Sequence, residues 1–214
     1  MWSKIKKTIY ILILANILFI FWGKFFNAPI TFTQIGGFFE YGKLQRDYIS
    51  SEEMGSNVKK AVIAAEDQKF FIHNGFDYKA IQKAYEKNNQ GKKLRGGSTI
   101  SQQTAKNIFL WQGRSWVRKG LETVYTFFIE LIWGKDVILE RYLNSIEMGQ
   151  GVFGVEAASE YYFGKHSKDL TKSEAAWIAT ILPNPKKYDP HNPSKYLRNR
   201  HNWILRQMNN VSLK

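Results

Sequence analysis

The 214-residue chain has no cysteine. That excludes a disulfide scaffold, a thiolate zinc site, an iron–sulfur cluster and a cysteine nucleophile. Acidic residues are missing from two stretches. Residues 1–30 hold Lys4, Lys6, Lys7 and Lys24, and the stretch from Lys87 to Leu121 holds Lys87, Lys92, Lys93, Arg95, Lys106, Arg114, Arg118 and Lys119. No run of alternating β-branched residues is long enough for a sheet, and there is no internal repeat or low-complexity segment. The phosphate loop GxxxxGK[ST] is absent, so nucleotide hydrolysis is not indicated. His73, His166, His191 and His201 show neither HExxH nor a paired metal spacing. Ser3–Lys6 and Ser56–Lys59 fit SxxK, but the Lys-Thr-Gly that would give the match meaning is lacking.

What is present is an ordinary globular balance, 44% hydrophobic and 23% charged, with a net charge of +13. Such an excess predicts an anionic partner: nucleic acid, an acidic membrane surface or a phosphorylated substrate. Thr8 to Gly23 is uncharged and rich in Ile, Leu and Phe, with lysines on both sides. A full span wants about 20 apolar residues, which Ile5 and Phe25–Phe26 supply if the lysines snorkel. Bulky aromatics follow the run where a cleavage site would need small residues, so it reads as an uncleaved signal anchor. Three lysines before it and one after keep the N-terminus cytoplasmic. The rest of the chain then lies across the membrane, which argues against nucleic acid. The expected organisation is a cytoplasmic tail (1–7), a transmembrane anchor (8–26), a linker with little regular structure (27–55) and a catalytic domain (56–214).

Helical periodicity dominates from Ser56. Asn57 is placed to cap a helix that runs to a stop at Asn74-Gly75, and Asp77 to cap a second reaching about Lys87. A loop is expected over 88–97. Further helices are expected at about 98–109, 115–133, 136–147, 152–163, 171–182 and 194–210.

Three segments have chemical potential. In a continuous helix Glu66, Phe70 and His73 share a face, and a carboxylate just after the apolar run Val62–Ala65 suits general-base work once burial raises its pKa. An ordinary surface carboxylate is the alternative. Gly96-Gly97-Ser98-Thr99 leads into a helix with a Thr99–Gln102 capping box, which places Thr99, Gln103 and Lys106 on one face. Free N–H groups at that helix start, with a lysine beyond, attract phosphate. Finally, Glu122 falls four residues after Arg118, either as an ordinary surface pair or as a second carboxylate among cations. Phe109, Leu110, Trp111 and Trp116 lie among Lys and Arg, which suits a lipid headgroup interface or, alternatively, core filling.

In this order the segments resemble the peptidoglycan glycosyltransferases, the family that also forms the N-terminal module of bifunctional penicillin-binding proteins. EDQKFFIHNGFD is similar to that family's EDxxFxxHxGxD, GGSTISQQTAKN to GGSTIxQQxxKN, and RKGLE to RKxxE. KDVILERYLNSIEMGQGVFGVEAASEYYFGK and AAWIATILPNPKKYDP are similar to its last two motifs. The likeness runs from about Asn57 to Met208 and implies a mostly α chain: a lysozyme-like, two-lobed helical domain after a single N-terminal transmembrane helix. It implies polymerisation of lipid II into β-1,4-linked glycan, with inversion and release of polyprenyl diphosphate. Glu66 is then the base for the acceptor hydroxyl, and Glu122 a second catalytic carboxylate on the donor side. Ser98, Thr99, Gln103, Lys106, Arg118 and Lys119 become donor-site residues, and Asp67, Phe70, His73 and Asn107 shape the same cleft. No organic cofactor is implied; a divalent cation (Mg or Mn) is an option, at Glu122. Implied partners are lipid II with the growing lipid-linked chain, the bilayer, and optionally other cell-wall synthesis or division proteins. The implied location is the bacterial cytoplasmic membrane, with the catalytic domain outside. A lytic, glycan-cleaving enzyme is the rival reading, because it too would place a Glu in a helical cleft.

Overall fold

The computed structural model describes residues 2–89, 97–113 and 115–213. Lys92, Lys93, Arg95 and Arg114, the side chain of Lys87 and most of the loop expected over 88–97 lie outside that description.

The chain opens with α1 (Trp2–Phe25), 24 residues long and apolar enough to cross a membrane. At 1.5 Å per residue it measures about 36 Å, against a hydrocarbon core of about 30 Å. The segment expected to be an irregular linker instead forms α2 (Phe32–Tyr41) and β1 (Gln45–Arg46). A capping box explains α2: Thr31 accepts from the Gln34 N–H and the Gln34 side chain accepts from the Thr31 N–H. Its single apolar stripe is short, so the signal was easily lost among the glycines.

The helices α3 (Ser56–Glu66), α9 (Lys172–Ile181) and α10 (Lys195–Gln207) pack together. A second group comprises α5 (Ile100–Phe109), α6 (Trp116–Ile132) and α7 (Lys135–Ser145). The mostly helical, two-lobed expectation therefore holds. Between these groups in sequence lie α4 (Tyr78–Asn89) and α8 (Val155–Phe163). The Thr99–Gln102 box caps α5 as expected, and Thr171–Glu174 and Ser194 cap α9 and α10. Ile63, Phe70, Ile100, Tyr142, Leu143 and Ile178 are among the fully buried side chains of the core.

Two local expectations fail for tertiary reasons. Gly55, not Asn57, is the N-cap of α3; the Asn57 amide donates to the Leu170 carbonyl at 2.9 Å. More consequentially, α3 ends at Glu66 and does not continue to Asn74. Asp67 leaves the helical conformation (φ −158°, ψ 76°), and its carboxylate is bonded to the Ile100 N–H and to His73, both 3.0 Å away. Glu66, Phe70 and His73 therefore do not share a helical face.

A small sheet forms despite the lack of alternation, with order β1-β3-β2. Here β2 is Glu147–Gly149 and β3 is Val152–Phe153, antiparallel to each other, with β1 parallel to β3. Strands of two or three residues leave no periodic trace. Gly154 turns the chain out of β3 at φ +84°, and a Cβ there would sit 2.8 Å from the Asn144 carbonyl oxygen. Gly154→Ala is expected to destabilise the fold by about 1–3 kcal/mol, from both the left-handed backbone and the clash. Thermal or denaturant unfolding checks this, and an unchanged midpoint would refute it.

Candidate active site

A cavity of about 840 Å³ opens between the two helix groups. Glu66, Asn199, Arg200 and Trp203 line one side; Gln103, Lys106, Arg118, Lys119 and Glu122 line the other, with Ser98 at the edge. A smaller cavity of about 340 Å³ continues past Glu66 toward Lys69, Asp77 and Thr99, sharing Ser98 and Trp203 with the first. Glu66 thus stands where two spaces meet.

Termination of α3 is what delivers Glu66 to the cleft. The apolar face of the helix, Val58, Ala61, Val62 and Ile63, is buried, and Glu66 is its last residue. The carboxylate is half-buried. Oε2 accepts from Gln103 Nε2 at 3.0 Å and Oε1 from Arg200 Nη2 at 3.2 Å. Gln103 is itself held by the buried Tyr142, whose hydroxyl donates to Gln103 Oε1 at 3.1 Å. Burial raises the Glu66 pKa, and the nearby Asp67 charge adds to this. The Gln103 hydrogen bond and the positive charges of Arg200 and Lys106 oppose it without cancelling it. Burial lowers the pKa of Lys106, with Arg118 and Lys119 reinforcing the shift and Glu122 and Glu66 opposing it.

The cation cluster is built on α6. Glu122 is buried and bonded to Arg118 Nη1 at 2.8 Å and to Lys119 Nζ. Arg118 Nε also donates to the Gly113 carbonyl at 2.8 Å, and Lys119 Nζ lies 3.4 Å from Ser98 Oγ. This is no loose surface pair. A buried carboxylate holds two cations with their charge at the cleft wall.

Other expected site residues stand behind the cleft. Thr99 is buried; its hydroxyl donates to the Gly75 carbonyl at 2.6 Å and accepts from the Gln102 N–H. Asp67 ties the start of α5 to His73, Phe70 is in the core, and Asn107 is buried on α5. Two of the N–H groups at the helix start expected for phosphate are already bound, that of Ile100 by the Asp67 carboxylate and that of Gln102 by the Thr99 hydroxyl. Arg200 was not anticipated. Its trace in sequence is that Tyr196, Arg200 and Trp203 recur at i, i+4 and i+7, a face of α10 distinct from the buried Leu197 and Ile204.

One cleft of the helical domain is thus lined by both a half-buried carboxylate and a cluster of cations. A family model described as transglycosylase matches residues 33–209, and the chain belongs to that family. Relatives agree. A protein of Mannheimia succiniciproducens is 54% identical over 175 residues, covering 82% of this chain and 71% of its own. A Shigella sonnei protein is 48% identical over 214 residues, covering 93% and 88%. A Xylella fastidiosa protein is 43% identical over 213 residues, covering 96% and 88%. Each is named biosynthetic peptidoglycan transglycosylase.

A divalent ion at Glu122 fits poorly with the donor set. Both carboxylate oxygens are engaged by cations. Among the described residues no group of three or more His, Cys, Asp and Glu is placed to hold a metal.

Proposed function

We propose that this protein polymerises lipid II into β-1,4-linked peptidoglycan strands at the outer face of the cytoplasmic membrane. The relatives' names support the substrate class, and α1 with its flanking lysines supports an anchored, N-terminus-inside orientation. The observation that carries the mechanism is Glu66, raised in pKa, standing across the cleft from Lys106, Arg118 and Lys119.

The acceptor 4-hydroxyl attacks the donor anomeric carbon. The new O–C1 bond forms as the C1–O bond to diphosphate breaks, and the electron pair leaves on the diphosphate. The hydroxyl proton passes to Glu66. One displacement inverts the centre, from α-linked donor to β-linked product. Diphosphate is a good leaving group, so charge stabilisation replaces a strong general acid. Lys106, Arg118 and Lys119 supply that charge, and Glu122 keeps the latter two in place. Incubating the purified full-length protein with labelled lipid II should give glycan longer than the input. Shortening of isolated cell-wall glycan would favour the lytic reading instead, for which a raised carboxyl also serves as general acid.

The two shifted groups set a pH profile. Glu66 must be ionised, so kcat/KM is expected to fall as pH drops through a value above its ordinary 4.5. Lys106 must be charged, so the rate is expected to fall again at a pH below its ordinary 10.5. Lys106→Arg should push only the alkaline limb upward, because guanidinium stays protonated. An alkaline limb that ignores this substitution would remove Lys106 from the assignment.

A further inference from the structure

Anchor helix α1 meets the catalytic domain along one stripe, Asn16, Phe19, Ile20 and Gly23. The Tyr125 hydroxyl of α6 donates to Asn16, and Phe109 packs edge-on against Phe19 with ring centres 5.6 Å apart. Trp133 donates its indole N–H to the Ile20 carbonyl at 2.8 Å. Its ring fills the space over Gly23, where a Cβ would lie 2.7 Å from the ring. Arg141, only 5% exposed, donates from Nε to the Gly23 carbonyl at 2.9 Å and from Nη2 to the Lys24 carbonyl at 3.1 Å.

Those carbonyls belong to the last turn of α1 and have no partner within the helix. A guanidinium there also meets the negative end of the helix dipole. Arg141 is bound in turn to Glu140, whose other oxygen accepts from the Ser51 N–H at 2.9 Å. A tether that merely kept the domain near the membrane would need none of this. Undocking α1 would take two carbonyl acceptors from the buried Arg141 and uncover Trp133 and Phe109, both costly. The contacts run from Asn16 to Lys24, about 12 Å along the helix. They brace α6 within one turn of Glu122, on the helix that carries Arg118 and Lys119.

We propose that Gly23, Trp133 and Arg141 form a positioning joint. It fixes the height and tilt of the cleft over the bilayer, so that a diphosphate held at the membrane surface by its lipid reaches Lys106, Arg118 and Lys119 in register. This rests on the reading of the substrate as lipid-borne. A slip of one residue along α1 moves the cleft by about 1.5 Å, and a misplacement of that size at the reacting atoms costs on the order of 100-fold.

The test compares polymerisation of lipid II in liposomes and in detergent micelles, using the full-length protein. Gly23→Leu places a side chain against Trp133 while leaving every residue of the catalytic domain unchanged. Its detergent rate is expected to stay within about twofold of the parent, while its liposome rate falls on the order of 10-fold or more. Trp133→Phe keeps most of the ring and deletes the bond to Ile20. It should show the same selective loss in smaller degree, and it stands in if Gly23→Leu loses its detergent rate. Equal rates in both media, or parallel losses in both for the two variants, would overturn the joint. A parent protein that makes no glycan in either medium would instead overturn the substrate reading on which the joint rests.

Discussion

Glu66→Gln is expected to lower the polymerisation rate by at least ~100-fold while leaving the fold intact, since a positioned general base contributes roughly 10²–10⁴-fold. The amide keeps the shape, and its single oxygen can still accept from one of Gln103 and Arg200, the two donors to the carboxylate. What it loses is the ability to take the acceptor proton. The same substitution is expected to stabilise the protein at neutral pH. Burial raises the folded-state pKa of Glu66, so the native state binds the proton more tightly than the unfolded chain. Ionising Glu66 therefore costs stability. That cost is absent below the unfolded pKa, grows as pH rises through the interval up to the folded value, and is complete above it. The melting temperature of Glu66→Gln should exceed the parent's at pH 7, and the difference should shrink toward pH 4. A folded variant with near-normal polymerisation would remove Glu66 as base; a destabilised one would mean that its partners, not burial, dominate its energetics.

Lys106→Ala is the second large effect. A hydrogen bond to a charged group is worth about 1.5–3 kcal/mol, so the loss in kcat/KM should be about 10–100-fold. Lys106 is the cation to remove because Arg118 and Lys119 are both bonded to Glu122, so changing either one also disturbs a buried carboxylate. Lys106 is carried by α5 and lines the same cavity as Glu66. Steady-state kinetics with varied donor concentration, alongside a thermal melt, separate substrate handling from folding. An unchanged kcat/KM would transfer the phosphate role to Arg118.

Phe109, Leu110, Trp111 and Trp116 divide in a way their spacing does not announce. Phe109 and Leu110 are core residues, and Phe109 stacks on Tyr125 with ring centres 4.6 Å apart, forming the socket for α1. Trp116 is 92% exposed, and Trp111 is exposed as well. All four sit among the same basic residues in sequence. Phe109 is covered by Phe19 of α1 and Tyr125 of α6, contacts that come from elements distant in sequence.

The sequence by itself determined the class, the helices with strong caps and part of the cleft lining. Caps at Thr99, Ser115, Thr171 and Ser194 are local hydrogen bonds between near neighbours, so they are legible in one dimension. The ordered motifs around Glu66, Lys106 and Glu122 likewise name residue types that the chemistry demands. Only the tertiary structure decided where α3 stops: the carboxylate of Asp67, which follows it, is bonded to the Ile100 N–H, 33 residues beyond. It also decided that Arg200 joins Glu66 across 134 residues, and that Arg141 caps a helix 117–118 residues before it. Such contacts are set by packing between elements, and a pattern read within one helix has no access to them.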